Sequence, residues 1–393
     1  MRPHPSSKTG YIPTLDGWRA IAVSLVLFNH ATLTGLARNL DPAQEYGTLG
    51  VDLFFAISGL LICSRLLEEE RVNGVISLRG FYIRRSFRIF PAAFLYLGVI
   101  ALLGLLSILP TDWAAWLSAL VFLRNYFTAF VRETYANRFT GHFWSLAIEE
   151  HFYLLLPSLL VFFPRHRKLV LAALTALALL WLGLYIHITP PDLRSIFWER
   201  RTDLRIASLL FPALLALFLA EPTSRARIAR WVRPATFYLL AFAAIAAWLL
   251  KRHLYPHPHL PPPPISLAKE IYSVAPGGPA HPFQQFVVPF LFPLLVIATI
   301  LHPRTLAGRL LESKPLRSLG RISYSVYLWQ QLFWVSPYRH WPIARVQQPL
   351  VGIILVFAAS LASYFLVEKP LIRLGHRLAP PSTPGHRDLN PTT

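Results

Sequence analysis

The chain of 393 residues is 54% hydrophobic and only 15% charged, with a formal net charge of +19. Its apolar runs reach membrane-spanning length several times over, which excludes a string of soluble domains. The basic residues sit in short clusters between those runs, as the positive-inside rule requires, so the charge points to membrane topology and lipid headgroups rather than to nucleic acid.

Residues 1–14 read as a polar, Pro-rich cytoplasmic segment without a cleavable signal, since the first apolar run is long enough to be an uncleaved anchor. Apolar runs follow near 17–37, 50–67, 89–109, 143–163, 168–188, 204–220, 234–250, 285–301, 321–337 and 350–367. That is about ten spans by the twenty-residue criterion. Residues 112–128 form a shorter aromatic patch with Asp112 and Arg124 near its ends, read as one re-entrant or interfacial helix. Counting it as a span would turn the basic clusters at 165–168 and 225–233 outward. Leaving it out, with both termini inside, places about 25 of the 38 Lys and Arg on the cytoplasmic side. The expected fold is therefore an all-α polytopic membrane protein, with a transmembrane domain over 15–378 and a disordered cytoplasmic tail over 379–393. The loop at 251–284 holds Pro261 to Pro264 and the imidazoles of His253, His257 and His259, read as a proline-rich outer connection and not as a metal site. The lone cysteine, Cys63, excludes an intrachain disulfide and reads as a small core hydrophobe.

Three places break the hydrophobic pattern with ionisable groups. In HFWSLAIEEHFYLLLP (142–157), a helical period puts His142, Ser145, Glu149 and Tyr153 on one face. A carboxylate in lipid costs a few kcal/mol unless it meets a partner or water, so Glu149 is a functional-site candidate, with Glu150 turned away from it. On the first span, Asp16, Arg19 and His30 share a face, and counting helical rise puts His30 in the outer half of the bilayer at a depth like that of Glu149. Those two groups suit a general base with its orienting carboxylate; the alternative is a structural hydrogen bond tying two helices. The third place is the basic stretch 64–90, where Arg85 and Arg88 lie one turn apart. Such a pair binds phosphates at the cytoplasmic face, or it serves topology alone.

The order of LDGWRAIAVSLVLFNH (15–30), GVDLFFAISGLLI (50–62), RRSFRIFP (84–91), HFWSLAIEEHFYLLLP (142–157), LGRISYSVYLW (319–329) and LVEKP (366–370) resembles the acyltransferase 3 family of bacterial membrane O-acyltransferases. The resemblance covers about 360 residues. It implies no permanently bound cofactor and acyl-CoA, usually acetyl-CoA, as co-substrate, its phosphates on Arg85 and Arg88 with Arg19 and Arg84 adding positive potential. It implies His30 as general base and Glu149 as its orienting or proton-relaying partner. Asp52, Ser58, Trp144, Ser145, Tyr153 and Arg201 match further positions around the acceptor, each with an equal packing or topology reading. Gln330 stands where many members carry histidine, His151 where many carry glutamine, and a glycine common after the Arg201 region is absent. The sequence is read without the extracytoplasmic hydrolase-like domain that some members append, and is expected either to complete transfer itself or to hand acyl groups to a separate extracytoplasmic partner. The expectation is an O-acyltransferase of the bacterial inner membrane acting on a carbohydrate or glycolipid hydroxyl. The alternatives are a proton-coupled transporter and an acyltransferase of a small secreted metabolite.

Overall fold

The computed structural model describes residues 11–33, 45–130, 136–190, 200–243, 286–334, 343 and 345–379. Among the described residues every regular element is a helix. Hydrocarbon offers the backbone no hydrogen bonds, and a helix bonds its own N–H and C=O groups internally. The first half runs as α1 (Pro13–Leu33), α2 (Glu45–Asn73), α3 (Leu78–Leu105), α4 (Trp113–Leu120), α5 (Arg124–Phe130), α6 (Phe143–Phe162) and α7 (Arg167–Ile188). Then come α8 (Thr202–Arg205), α9 (Ala207–Ala220), α10 (Pro222–Trp231), α11 (Pro234–Ala243), α12 (Val288–Leu301), α13 (Leu306–Leu311), α14 (Lys314–Phe333), α15 (Pro349–Ala362) and α16 (Lys369–Leu378). A π-helical turn over Ser363–Glu368 joins the last two.

Five described helices are long and apolar enough to cross a membrane, or six if α9 and α10, bent 113° to one another, form one span. Leu102, Leu154, Phe162, Leu180 and Leu366 on these helices are each more than half exposed. Large apolar side chains in such number on the outside of a bundle belong against lipid. The fold is that of a polytopic integral membrane protein. The expected span at 234–250 is described only to Ala243, and the histidine-bearing loop and the tail beyond Ala379 lie outside the described residues.

The single short helix expected over 112–128 is two. Asp112 caps α4 by accepting from the N–H groups of Ala114 and Ala115 at 3.0 and 3.1 Å. Phe122, at φ +56°, ends it in a left-handed conformation that no helix continues. At eight and seven residues, neither piece spans a bilayer. Arg124, fully buried at the start of α5, donates to Thr140 Oγ1 at 3.1 Å and to the Asn137 carbonyl at 2.9 Å. It thereby fixes the approach to α6.

α1 lies between α2 and α14. α1 and α14 run parallel: Gly320 backs onto Asp16 at one end, and Trp334 Nε1 donates to the Leu27 carbonyl at 2.8 Å near the other. α2 runs antiparallel to α1, with Gly47 against Asn29 and Gly50 against Ala22 and Val26. α2 and α9 run side by side in the same direction, joined by a buried ion pair and by a bare backbone contact. The pair is Asp52 with Arg205, 2.7 Å apart and each side chain 2% exposed. The contact is Gly59, where a Cβ would stand 2.4 Å from the Leu209 carbonyl oxygen. Small residues of this kind let helices approach closely in membranes.

Two outcomes follow from this packing. Gly59→Ala forces α2 and α9 apart and should cost about 1–3 kcal/mol, while Gly98→Ala, with nothing within 4 Å of its added Cβ, should cost far less; thermal unfolding in detergent compares them. Arg205→Met takes from the buried Asp52 its guanidinium 2.7 Å away and should cost about 3–5 kcal/mol, most of it regained in the double variant with Asp52→Leu. Equal melting temperatures for single and double variants would refute that coupling.

Candidate active site

The site is built around one carboxylate. Glu149 lies on the second turn of α6 and accepts from Ser58 Oγ of α2 at 3.1 Å and from the Tyr153 hydroxyl at 2.5 Å. Tyr153 is four residues further along α6, so the helical repeat itself delivers that donor. The guanidinium of Arg85, from α3, sits 3.8 Å above the centre of the Tyr153 ring, a cation–π stack. One chain of contacts thus joins α2, α3 and α6, and Arg85 and Arg19 both lie within electrostatic range of the carboxylate.

Beneath it the arginines gather. Arg88 is exposed, yet it lies within electrostatic range of Arg19, Arg85, Tyr153 and Asp16 from three different helices. It therefore lines an opening between α1, α3 and α6. Arg65, also exposed, lies within range of Arg19. Asp16 accepts from Arg19 at 3.0 Å and from the Tyr11 hydroxyl at 2.6 Å, and stands 3.8 Å from Arg321. Arg19, Arg65, Arg85, Arg88 and Arg321 thus gather about Asp16 and Glu149, with Glu68, Glu150 and Glu368 each also within electrostatic range of one of them. The exposed guanidiniums of Arg65 and Arg88 are the ones placed to meet an entering anion. Arg84 differs from its neighbours: it is held by Glu69 at 2.9 Å.

His30 occupies the other end. Its Nδ1 lies 2.9 Å from the Val26 carbonyl. A carbonyl only accepts, so Nδ1 carries the proton and the lone pair of the neutral ring belongs to Nε2. His30 lies within electrostatic range of His142 at the start of α6. Glu149 is seven residues further along that helix, about 10 Å lower. Its partner Ser58 belongs to the stretch of α2 that faces the first half of α1, as the pairing of Gly50 with Ala22 shows. Glu149 is accordingly level with Arg19 rather than with His30, and its carboxylate bonds to Ser58 and Tyr153. Depth counted from span ends put the two groups together; the register of α2 against α1, with Gly50 beside Ala22, separates them.

The other candidates divide. Ser145 lies 2.6 Å from the hydroxyl of Tyr327, which donates to the His142 carbonyl at 3.1 Å, so Ser145 fastens α6 to α14. Trp144 packs edge-on to Phe55, with Arg200 5.5 Å over its ring. Asp52 is consumed by Arg205, and Arg201 by Asp203 at 2.6 Å. His151 meets Thr202 Oγ1 at 2.7 Å, away from the carboxylate chain. Sequence reasoning missed Arg205, Tyr327 and Glu368. The last is 3% exposed and accepts from Ser325 and Ser363 at 2.5 and 2.9 Å. Their charge or hydroxyl in an apolar run was visible, but the partner came from far along the chain. Among the described residues no group of three or more His, Cys, Asp or Glu is arranged to hold a metal ion.

Comparison with known proteins gives this arrangement its context. The family described as an acyltransferase domain matches residues 12–368. The O-acetyltransferase OatA of Staphylococcus aureus (strain NCTC 8325 / PS 47) is 29% identical over 382 residues, 93% of this chain and 58% of the relative. The peptidoglycan O-acetyltransferase OatA of Listeria monocytogenes serovar 1/2a is 28% identical over 397 residues, 93% of this chain and 56% of the relative. The chain thus spans a little under three-fifths of the length of these relatives. No solved structure matches it. The family match runs from the segment before Asp16 to Glu368 and so takes in both ends of the site: the chain belongs to the acyltransferase 3 family.

Proposed function

We propose that the protein is an O-acetyltransferase of the bacterial cytoplasmic membrane, moving an acetyl group from cytoplasmic acetyl-CoA to a hydroxyl of a cell-envelope glycan on the outer side. The observation that carries this reading is the convergence of Arg19, Arg85 and Arg88 on one opening beside Glu149 and Tyr153, in a chain of an acyltransferase family. A transporter would need no family match of this kind. Relatives bearing the names O-acetyltransferase and peptidoglycan O-acetyltransferase favour acetyl as the group and a peptidoglycan strand as the acceptor.

In this reading the CoA phosphates rest on the guanidiniums, which bind them bidentately, and the acyl arm extends along the bundle toward His30. His30 Nε2 removes the proton from the acceptor hydroxyl as its oxygen attacks the thioester carbonyl. The C–O bond forms, the C–S bond breaks, and the proton passes from the imidazolium to the departing thiolate, giving the ester and free CoA. Glu149 acts at a distance, as a positioning residue. It balances the charge of Arg85 and fixes Tyr153 and Ser58 along the passage. The mode of membrane insertion that serves this path is both termini inside, which agrees with α1 and α14 running parallel and α2 and α6 running against them.

Radiolabelled acetyl-CoA and soluble peptidoglycan strands supply the assay. His30→Ala should lower transfer by about a hundredfold or more, with the melting temperature kept. Glu149→Gln should do the same. Arg85→Ala combined with Arg88→Ala should raise the KM for acetyl-CoA at least tenfold and flatten its dependence on salt, because fewer charges then meet the phosphates. Full activity in His30→Ala would overturn the assignment of the base, and an unchanged KM in the double arginine variant would return those residues to topology alone.

A further inference from the structure

The acceptor end contains a group of polar atoms to which the mechanism above gives no task. His142, Trp329 and Gln330 are 5%, 7% and 0% exposed. Among the described residues neither ring nitrogen of His142 has a hydrogen-bond partner, and neither do Trp329 Nε1 and Gln330 Oε1. Burying a polar atom unsatisfied costs about 1–3 kcal/mol, so four such atoms in one neighbourhood call for an explanation. They belong together. The Tyr96 ring lies 5.2 Å from the ring of His142 and 5.6 Å from that of Trp329. The Tyr327 ring stands 5.6 Å from His142, and Gln330 follows Tyr327 by three residues, on the same face of α14. His142 in turn lies within electrostatic range of His30.

The chemistry these atoms would recognise is narrow. Trp329 offers an N–H donor and Gln330 a carbonyl acceptor, and neutral His142 offers one of each. None carries a fixed charge, which argues against a phosphate or carboxylate ligand. A group that donates and accepts at the same atom answers all of them, and a hydroxyl does so. The rings of Tyr96 and Tyr327 pack edge-on about His142, and that of Tyr96 about Trp329 as well, so the polar atoms have an aromatic surround. We infer that His142, Trp329 and Gln330 form a sugar-hydroxyl subsite that holds the acceptor ring beside His30. The inference rests on the glycan-acceptor reading above and assigns its specificity to these three side chains. They bind and position the sugar, while the proton is taken at His30.

The test uses the full chain in lipid nanodiscs, with soluble peptidoglycan strands released by amidase as the probe. Binding of strands and of acetyl-CoA is measured separately, alongside transfer. His142→Phe keeps the ring and removes both nitrogens; Gln330→Leu keeps the volume and removes the carbonyl. Each should weaken strand binding about tenfold, the equivalent of about 1.4 kcal/mol, and raise the KM for strands in proportion, with acetyl-CoA binding as in the unaltered protein. His142→Gln, which restores one donor and one acceptor, should recover part of the lost affinity, and its failure to do so overturns the hydrogen-bonding role even if His142→Phe folds poorly. If strand affinity and KM hold in both His142→Phe and Gln330→Leu while transfer proceeds, the subsite is wrong and the O-acetyltransferase reading stands. If the unaltered protein neither binds nor acetylates strands, the glycan reading falls and the subsite with it.

Discussion

A membrane interior gives a charged side chain nothing to bond to, so every ionisable group in this bundle must be answered from elsewhere in the chain. The contact of Glu149 with Ser58 and Tyr153, under the stacked guanidinium of Arg85, is where that demand is met by three helices at once. Removing the carboxylate would leave Arg85 against its neighbours Arg88 and Arg19; removing the arginine would leave the carboxylate to its two hydroxyl donors and Arg19. The site is thus also a joint of the fold. The same rule explains Asp52 with Arg205 and Glu368 with its two serines: each is a charge in an apolar run, and each finds a donor on another element.

The two ends of the site differ in the kind of polarity they hold. Around Arg88 the groups are charged, with arginines from more than one helix beside Asp16, and Arg88 itself is exposed. Around His142 they are neutral, closed in and surrounded by aromatic rings. Full charges in an opening attract an anion over a distance, whereas buried neutral dipoles select among ligands by hydrogen-bond direction at contact. A bisubstrate enzyme working across a membrane needs both: capture of a charged donor on one side and discrimination among similar uncharged acceptors on the other.

Much of the fold was legible because lipid imposes a simple rule on sequence. Runs of apolar residues gave the all-helical membrane class, five of the ten expected runs falling on described helices long enough to cross, and Glu149 stood out as a charge inside one of them. Tyr153 was legible too, since a bond across four residues of a helix needs no tertiary information. Ser58 was matched to the family pattern, but its bond to Glu149 was not readable, because it reaches across 91 positions and serine is unremarkable in any apolar helix. The arginines were read as standing at the far face from the carboxylate. Helix α3 begins at Leu78, well before the apolar run, and so carries Arg85 into contact with Tyr153. Polarity marks where a span becomes greasy, not where its helix starts. The break at Phe122 left no clear sequence signal either, since phenylalanine rarely takes a positive φ.

The central position of α1 bears on how the protein is made. Trp18 donates to Thr299 at 2.8 Å across 281 positions of sequence, and Trp334 reaches back to Leu27 across 307. At about 5–20 residues per second, the ribosome takes roughly 15–60 s to supply those partners after α1 has been synthesised. Through that interval α1 has α2 packed against it, with α3 and α6 also made, but lacks α12 and α14, which close its other side. A nascent chain stopped before α14 would carry α1, the Glu149 joint, Tyr96 and His142 but not Tyr327, Trp329 or Gln330, so the surroundings of His142 are completed last.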